Sequence, residues 1–185
     1  LQRGAGVLFW VMTAVLYALP FYLIAKTAPL FLYLLIAPLL LKSCFAWRSL
    51  EEHTLAVVAA LRDDIASGRE RVKLLVSRDT ARLDRDHILS AGYESMTENL
   101  TDSIVSPLLF FSVFGLAGAA VYRAANTMDA MLGYRDERER LGWCAARMDD
   151  LFNVIPARIT ACLLLLYFTL QGRFSHAAEI MVRDR

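Results

Sequence analysis

Residues 94–122 read ESMTENLTDSIVSPLLFFSVFGLAGAAVY, and this stretch decides what kind of fold the chain adopts. Its first part places Glu94, Glu98 and Asp102 four residues apart, on one face of a helix. Its second part is an apolar run long enough for a bilayer. Like charges at this spacing repel each other unless a cation lies between them. The stretch therefore predicts a membrane helix bordered by an acidic cluster that needs a positive partner.

The composition of the whole chain agrees with a membrane protein. Of its 185 residues, 57% are hydrophobic, and the mean hydropathy is +0.41. Soluble domains are usually about 45–50% apolar. The 20 basic and 19 acidic residues nearly balance, so we expect no nucleic-acid partner. Cysteines 44, 144 and 162 lack metal-binding or disulfide spacing, and histidines 53, 87 and 176 lack partners in spacing, so we expect packing or surface roles for all six.

Four apolar stretches are candidate spans, and together they predict an all-α polytopic membrane protein. They are residues 7–25, 28–47, 104–122 and 155–171. Beyond the second span a helical rhythm continues to Ser67-Gly68, where we expect that helix to stop. Because the chain begins with Leu and enters a span almost at once, we also expect it to be part of a longer protein.

The distribution of Lys and Arg orients these spans. Nine of them lie between Lys42 and Arg85, which places residues 48–103 in the cytoplasm. Residues 123–154 are also rich in Arg, so we expect this segment to be cytoplasmic as well. Residues 104–122 would then enter the membrane and return, and Pro107, Ser112, Gly115 and Gly118 make such a re-entrant helix pair feasible. A through-going span is the alternative.

Polar residues recur at three membrane boundaries. The first cluster follows VSRDT (76–80), where Asp79-Thr80 is either a helix N-cap or part of a site, and it continues with the acidic stripe. The second lies within residues 122–140 and the third within residues 146–160. Each taken singly is also typical of a solvated surface or a helix end. Ionisable groups near bilayer depth are costly, however, and usually face a wet cavity. Carboxylate and amide oxygens with nearby arginines predict a site for Mg²⁺ and phosphate.

Four motifs carry a resemblance to a known family. They read GRERVKLLVSRDT, E-S-x-x-E-N-x-x-D-S-I-V-S-P-L, Y-R-A-A-N-T-M-D-A-M-x-G-Y-R-D-E-R and G-W-x-A-A-R-M-D-D-L-x-N-x-I-P-A-R. In this order they closely resemble the CobD/CbiB family of polytopic membrane proteins in cobalamin biosynthesis. The resemblance covers about residues 48 to 166. A Ser-Pro-Asn-bearing C-terminal segment of the family is not found in this sequence.

The resemblance implies an ATP-dependent ligase in the cell inner membrane, with its active face in the cytoplasm. Such an enzyme joins a propionate of adenosylcobyric acid to (R)-1-amino-2-propanol or its O-phosphate, giving adenosylcobinamide or its phosphate. It implies ATP and Mg²⁺ as cofactors. We expect membrane lipid and other cobalamin-pathway enzymes as further partners. A carboxylate is a poor electrophile, so we expect activation as an acyl phosphate.

With this reaction in mind, each polar residue receives an expected role. The residues expected to bind metal are Glu94, Glu98, Asn99 and Asp102. Those expected to bind substrate or phosphate are Arg78, Arg147, Arg158, Asn153 and Asn126. Those expected to be catalytic are Asp149, Asp150 and Asp129, and either Asp149 or Asp150 would deprotonate the attacking ammonium.

Two other functions remain open at this point. One is a Mg²⁺-dependent intramembrane prenyltransferase, which Asn126-Thr-Met-Asp129 resembles loosely, although the spacing differs and no second aspartate-rich repeat is present. The other is a non-catalytic regulator that keeps the same fold. The many costly polar residues at the membrane boundaries disfavour the regulator.

Overall fold

The structure is a computed structural model that describes residues 2–45, 47–76, 79–133 and 139–173. Every regular element in these ranges is helical, which confirms the all-α expectation. The helices are α1 (Gln2–Thr27), α2 (Leu30–Lys42), α3 (Trp47–Asp63), α4 (Ile65–Val72), α5 (Arg85–Leu100), α6 (Ser106–Leu132) and α7 (Glu139–Leu170). A π-helical segment, Thr101–Val105, joins α5 to α6.

Within the described residues, three helical stretches are long and apolar enough to cross a membrane: Gln2–Thr27, Arg85–Leu132 and Glu139–Leu170. Their outer faces carry large apolar side chains; Leu16 of α1 is 75% exposed and Leu170 of α7 is 80% exposed. Soluble proteins seldom expose such continuous apolar surface, whereas lipid solvates it. Helix α2 has 13 residues, so it is shorter than the second span predicted for residues 28–47. It too carries exposed apolar side chains, and its Phe31 is 81% exposed.

Helix α6 reverses direction at Gly115. This glycine has φ 68° and ψ −161°, which interrupts the helix. Residues on either side of this point meet across the two arms: Asp102 contacts Asn126, and the ring centroids of Phe110 and Tyr122 lie 5.1 Å apart. A straight helix of about 1.5 Å per residue would hold these pairs far apart. The arms before and after Gly115 therefore form an antiparallel hairpin.

The hairpin agrees with the expected re-entrant segment and not with the alternative of a through-going span. Its first arm, residues 106–114, is about 14 Å long at 1.5 Å per residue. A hydrocarbon core is about 30 Å thick. The apolar run of residues 104–122 thus has the length of a span only when it is counted along the chain. Where the bilayer lies around this hairpin stays a prediction.

The π-helical segment has a cause in the sequence. Pro107 lies two residues after its last residue, Val105, and is fully buried. Proline has no N–H for the carbonyl four residues earlier, and its ring collides with that carbonyl. The helix widens locally before Pro107, and Asp102 is carried on this widened turn.

Helices α3, α4 and α5 pack into a separate layer with its own core. Val57, Leu61, Val72, Ile88 and Ala91 form that core. Asp64 caps α4 and Asp84 caps α5 through their side chains.

Two expectations about this layer were wrong, and one of two open alternatives is excluded. The helix that follows the second span breaks after Lys42 and again at Asp64, so Ser67-Gly68 lies inside α4 and does not end a helix. The side chain of Asp79 accepts the amide of Ala81 in a turn, and it caps no helix. The cap of the following helix is Asp84, five residues later.

Close backbone approach fixes the remaining helices around the hairpin. A Cβ atom on Gly6 of α1 would collide with the carbonyl oxygen of Leu141 in α7, and one on Gly142 with that of Leu132 in α6. Gly133 follows the last residue of α6 as its C-cap. Pro156 lies inside α7 and not at its entrance, so the third polar cluster and the last span belong to one helix.

Candidate functional site

Five side chains from three elements form a closed ring of hydrogen bonds beside the hairpin, which we call the polar ring. Its members are Asp102 of the π-helical segment, Tyr122 and Asn126 of α6, and Asp149 and Asn153 of α7. The hairpin brings Asp102 to the second arm of α6. Because Asp149 and Asn153 are four residues apart in α7, they share the face that meets this arm.

Asn126 and Asn153 link the two carboxylates of the polar ring. The Nδ2 of Asn126 donates to Oδ2 of Asp102 at 3.1 Å and to Oδ1 of Asp149 at 3.3 Å. The Nδ2 of Asn153 donates to the other oxygen of Asp149 at 3.1 Å. The hydroxyl of Tyr122 donates to Oδ1 of Asn153 at 2.9 Å and lies 3.4 Å from Oδ1 of Asp102, which closes the ring.

The polar ring concentrates negative charge in a half-buried place. Asp102 and Asp149 repel each other, and Glu98 adds to the repulsion at Asp102. Within the described residues, the hydrogen bonds that reach these two carboxylates come from neutral amide and hydroxyl groups. Neutral donors orient a carboxylate without cancelling its charge. Two neighbouring carboxylates are ligands that Mg²⁺ accepts, since it commonly takes one or two carboxylates plus phosphate oxygens.

Arg123 is a cation at the edge of the polar ring. Its Nη1 lies 3.5 Å from Oδ1 of Asn126, on the opposite end of the amide from the carboxylates. It also lines a cavity of about 440 Å³ between α1 and α6, whose other walls are mainly apolar. The guanidinium therefore stands between the polar ring and this cavity.

Aromatic side chains pack beneath the polar ring. Phe110 lies between Tyr122 and Phe152, with ring centroids 5.1 Å from each. Trp10 of α1 continues the group, 6.3 Å from Phe152. These rings keep one side of the site dry, so charge interactions in it are stronger than in water.

The residues expected to bind metal do not all meet. Glu94 and Glu98 are exposed on α5, and Asn99 donates to the carbonyl of Ser95. Asp102 alone of the four belongs to the polar ring. Among the described residues, no group of three or more His, Cys, Asp or Glu side chains is placed to hold a metal ion. A metal at the polar ring would thus rely on two carboxylates and on substrate oxygens, because the amide oxygens of Asn126 and Asn153 face other donors.

The residues expected to be catalytic divide into two groups. Asp149 belongs to the polar ring. Asp129 and Asp150 lie beside it, where their charges interact with each other and with Asp149. Asp150 is exposed and lies 3.5 Å from the guanidinium of Arg147.

The expected phosphate-binding residues are more scattered. Asn126 and Asn153 lie in the polar ring. Arg147 is exposed beside Asp150, and the guanidinium of Arg158 donates to the carbonyl of Val154 in its own helix. Arg78 lies outside the described residues.

Three residues at the site were missed from the sequence. They are Tyr122, Arg123 and Ser106. The hydroxyl of Ser106 donates to Oδ1 of Asn153 at 2.7 Å. Tyr122 and Asn126 are four residues apart in a helix, so their shared face was a usable signal. Ser106 becomes recognisable only when the hairpin is known, because it faces Tyr122 from the other arm.

Comparisons with known proteins identify the family. The model of the CobD/CbiB protein family matches residues 1–185. A probable cobalamin biosynthesis protein CobD of Thermococcus kodakarensis is 52% identical over 155 residues, covering 83% of this chain and 49% of the relative. The cobalamin biosynthesis protein CobD of Pelobacter propionicus is 44% identical over 155 residues, covering 82% of this chain and 48% of the relative.

A third relative covers nearly the whole chain. The probable cobalamin biosynthesis protein CobD of Methanothermobacter thermautotrophicus is 40% identical over an alignment of 189 residues that covers 99% of this chain and 62% of the relative. The chain thus spans between 48% and 62% of the length of these three relatives. No solved structure matches it. The chain belongs to the CobD/CbiB family of cobalamin biosynthesis proteins.

Proposed function

We propose that this chain carries the active site of a membrane ligase that joins adenosylcobyric acid to (R)-1-amino-2-propanol or its O-phosphate, with hydrolysis of ATP. The observation that supports the proposal most is the polar ring, in which Asp102 and Asp149 share one amide and receive no cation from the described contacts. A divalent ion with phosphate oxygens would neutralise this charge. The family relation supplies the corrinoid substrate.

The proposed reaction has two steps. An oxygen of the propionate carboxylate attacks the γ-phosphorus of ATP, which forms an acyl phosphate and releases ADP. The amine nitrogen then attacks the acyl carbon, the carbon–oxygen bond to phosphate breaks, and phosphate leaves with the electron pair. The nitrogen loses a proton to a base. The products are the amide, ADP and inorganic phosphate.

The residues of the site fit these steps in the following way. Asp102 and Asp149 would hold Mg²⁺, which neutralises charge on the phosphate oxygens. Arg123 is the cation nearest the polar ring within the described residues, so we add it to Arg147 and Arg158 as a phosphate ligand. Asp150 and Asp129 lie at the exposed edge, where an incoming ammonium meets a carboxylate able to take its proton.

The location and partners follow from the same arrangement. We propose that the protein lies in the cell inner membrane with the polar ring open to the cytoplasm, where ATP is available. Lipid would cover the exposed apolar faces of α1 and α7. Other enzymes of the pathway would meet it on the cytoplasmic side.

The test is a ligation assay on the full-length protein in detergent or lipid. Adenosylcobyric acid, aminopropanol phosphate or free aminopropanol, ATP and Mg²⁺ are supplied, and the product is identified by mass. Asp102→Asn keeps the shape of the side chain and removes its charge, so we expect at least a hundredfold loss of turnover. Asp86→Asn, on the exposed start of α5, is the matched control and should keep full activity.

Two results would contradict the proposal. One is a folded wild-type protein that forms no corrinoid amide with either amine. The other is a product that forms equally fast with Asp102→Asn, which would move the chemistry away from the polar ring.

A further inference from the structure

The side-chain amide of Asn153 is held in one orientation by its neighbours. Its Oδ1 accepts two hydroxyl protons, from Ser106 at 2.7 Å and from Tyr122 at 2.9 Å. An amide oxygen has two lone pairs, so both are occupied. The Nδ2 of the same amide must then face the remaining acceptor, which is Oδ2 of Asp149 at 3.1 Å.

The two hydroxyl donors are themselves fixed. Tyr122 is 0% exposed, and its ring packs against Phe110. Ser106 is also 0% exposed and is followed directly by the buried Pro107. The hydroxyls come from opposite arms of the hairpin and converge on one atom of α7. Neither can turn to water instead.

We propose that Tyr122 and Ser106 are positioning residues that act through Asn153 on the carboxylate of Asp149. They lock the amide, and the amide holds one oxygen of Asp149 so that this carboxylate keeps a single orientation toward a divalent cation. The inference rests on the proposed function. It also changes the expected role of Asn153: with its Oδ1 occupied, Asn153 orients Asp149 and does not bind substrate or phosphate.

Residues that orient a metal-binding carboxylate by hydrogen bonds are common in metal proteins. Carboxylate ligands are usually hydrogen-bonded by a further layer of residues, and removal of such a partner typically lowers metal affinity or activity by about 10- to 100-fold. Tyr122→Phe removes one hydroxyl and keeps the ring in place. Ser106→Ala removes the other with a loss of one atom. Each variant frees one lone pair of Oδ1, so the amide can rotate away from Asp149.

The experiment measures binding of Mn²⁺ alone to the full-length protein in detergent, by the loss of the free-ion electron paramagnetic resonance signal. Mn²⁺ takes the same oxygen ligands as Mg²⁺. We expect Tyr122→Phe to raise the dissociation constant about tenfold, and Ser106→Ala to raise it in the same direction. Tyr93→Phe and Ser112→Ala, both exposed positions, are matched controls that should bind as the wild type does.

Two further readouts separate positioning from general damage. The thermal unfolding midpoint of each variant should stay within a few degrees of the wild type. In the ligation assay, kcat should fall while the KM for adenosylcobyric acid stays unchanged, because the corrinoid is not bound by these hydroxyls.

The outcomes distinguish this inference from the proposed function. Wild-type affinity for Mn²⁺ in both Tyr122→Phe and Ser106→Ala would overturn the inference and leave the ligase proposal standing. Absence of Mn²⁺ binding by the wild type would also overturn it, while the mass assay would still decide on the ligase. Weaker binding in both variants with normal binding in both controls would support it.

Discussion

The aspartates of this chain have two different roles, which depend on the hydrogen-bond donors and charges around each carboxylate. The carboxylate of Asp64 is exposed and accepts both the amide and the hydroxyl of Ser67, at 2.8 and 2.7 Å. These donors are the free groups of a helix N-terminus, and they favour the charged form. Asp102 and Asp149 are instead half-buried beside each other. Asp64 therefore stabilises a helix by its charge, whereas the charges at the polar ring oppose each other.

The cap of α4 should make stability depend on pH. Hydrogen bonds from the amide and hydroxyl of Ser67 lower the pKa of Asp64 below its ordinary value. A carboxyl group whose pKa is lower in the folded state contributes stability above its unfolded pKa, and loses that contribution as the pH falls through the folded pKa. We expect Asp64→Ala to lower the unfolding midpoint by a few degrees at pH 7, with a smaller difference from the wild type at pH 3.

Asp64→Asn is the matched control for this effect. Asparagine is also a good N-cap, but it does not titrate in this range. Its midpoint should stay near that of the wild type at pH 7 and should lose less than the wild type on acidification. Scanning calorimetry on the detergent-solubilised proteins measures the midpoints of the wild type, Asp64→Ala and Asp64→Asn. If the unfolding midpoints of the wild type and Asp64→Ala were equal at each pH, the side-chain cap would make no contribution to the stability of the protein.

At the scale of elements, the helical hairpin is what creates the site. Asp102 and Asn126 are 24 residues apart in sequence, yet their side chains are hydrogen-bonded. Two glycines permit the fold-back for different reasons. Gly115 adopts a backbone conformation that residues with a side chain rarely take, while Gly118 lies against the other arm, 2.7 Å from the carbonyl oxygen of Phe110 when a Cβ is added.

Glycine-to-alanine changes should reveal these two reasons. Gly118→Ala places a methyl group against the backbone of Phe110 and the Cβ of Phe114. Such overpacking costs about 1–3 kcal/mol. Gly115→Ala meets no atom within 4 Å but strains the backbone, at a similar cost of about 1–3 kcal/mol. We expect both variants to unfold more readily and to lose ligation activity.

Gly4→Ala in α1 is the control. It meets nothing within 4 Å and needs no unusual backbone angle, and alanine is the better helix former. Its stability should equal or slightly exceed that of the wild type in equilibrium unfolding by denaturant. A Gly118→Ala protein as stable as Gly4→Ala would mean that the arms do not pack as closely as described.

Much of this element was predictable from its sequence. The return of residues 104–122 followed from the Arg-rich segments on both sides, and Gly115 was among the residues named as allowing it. The π-helical turn was not predicted, because it depends on how Pro107 is buried and not on periodicity. Asp102, Asn126, Asp149 and Asn153 were all named, but from three separate clusters. Ser106 was missed because its position opposite Tyr122 requires the hairpin geometry, whereas Tyr122 could have been found from its spacing to Asn126.

At the scale of the whole molecule, charge and apolar surface together suggest how the protein sits in a bilayer. The α3–α5 layer carries exposed charges and joins the polar ring through the π-helical segment. The tip of the hairpin carries exposed Val113 and Phe114, 61% and 65% accessible, which suit a lipid environment. Lys26, in the last turn of α1 beside the link to α2, is the single charged residue between the apolar parts of these two helices. This distribution puts the polar ring on the side of α3–α5, opposite that link.

The last prediction is the side of the membrane on which each segment lies. Single cysteines are introduced at Thr27, Ser90 and Thr127 of the full-length protein after replacement of its native cysteines, and a membrane-impermeant maleimide is applied. We expect Thr27→Cys to react in intact cells, and Ser90→Cys and Thr127→Cys to react only in inverted vesicles. All three positions are exposed in the structure, so burial within this chain does not limit labelling. Because Ser90 and Thr127 flank the hairpin, their shared side is what distinguishes a re-entrant segment from a span. Labelling of Thr127→Cys in intact cells, with Ser90→Cys protected, would instead mean that residues 104–122 cross the membrane, and the two arms could not then meet at the polar ring.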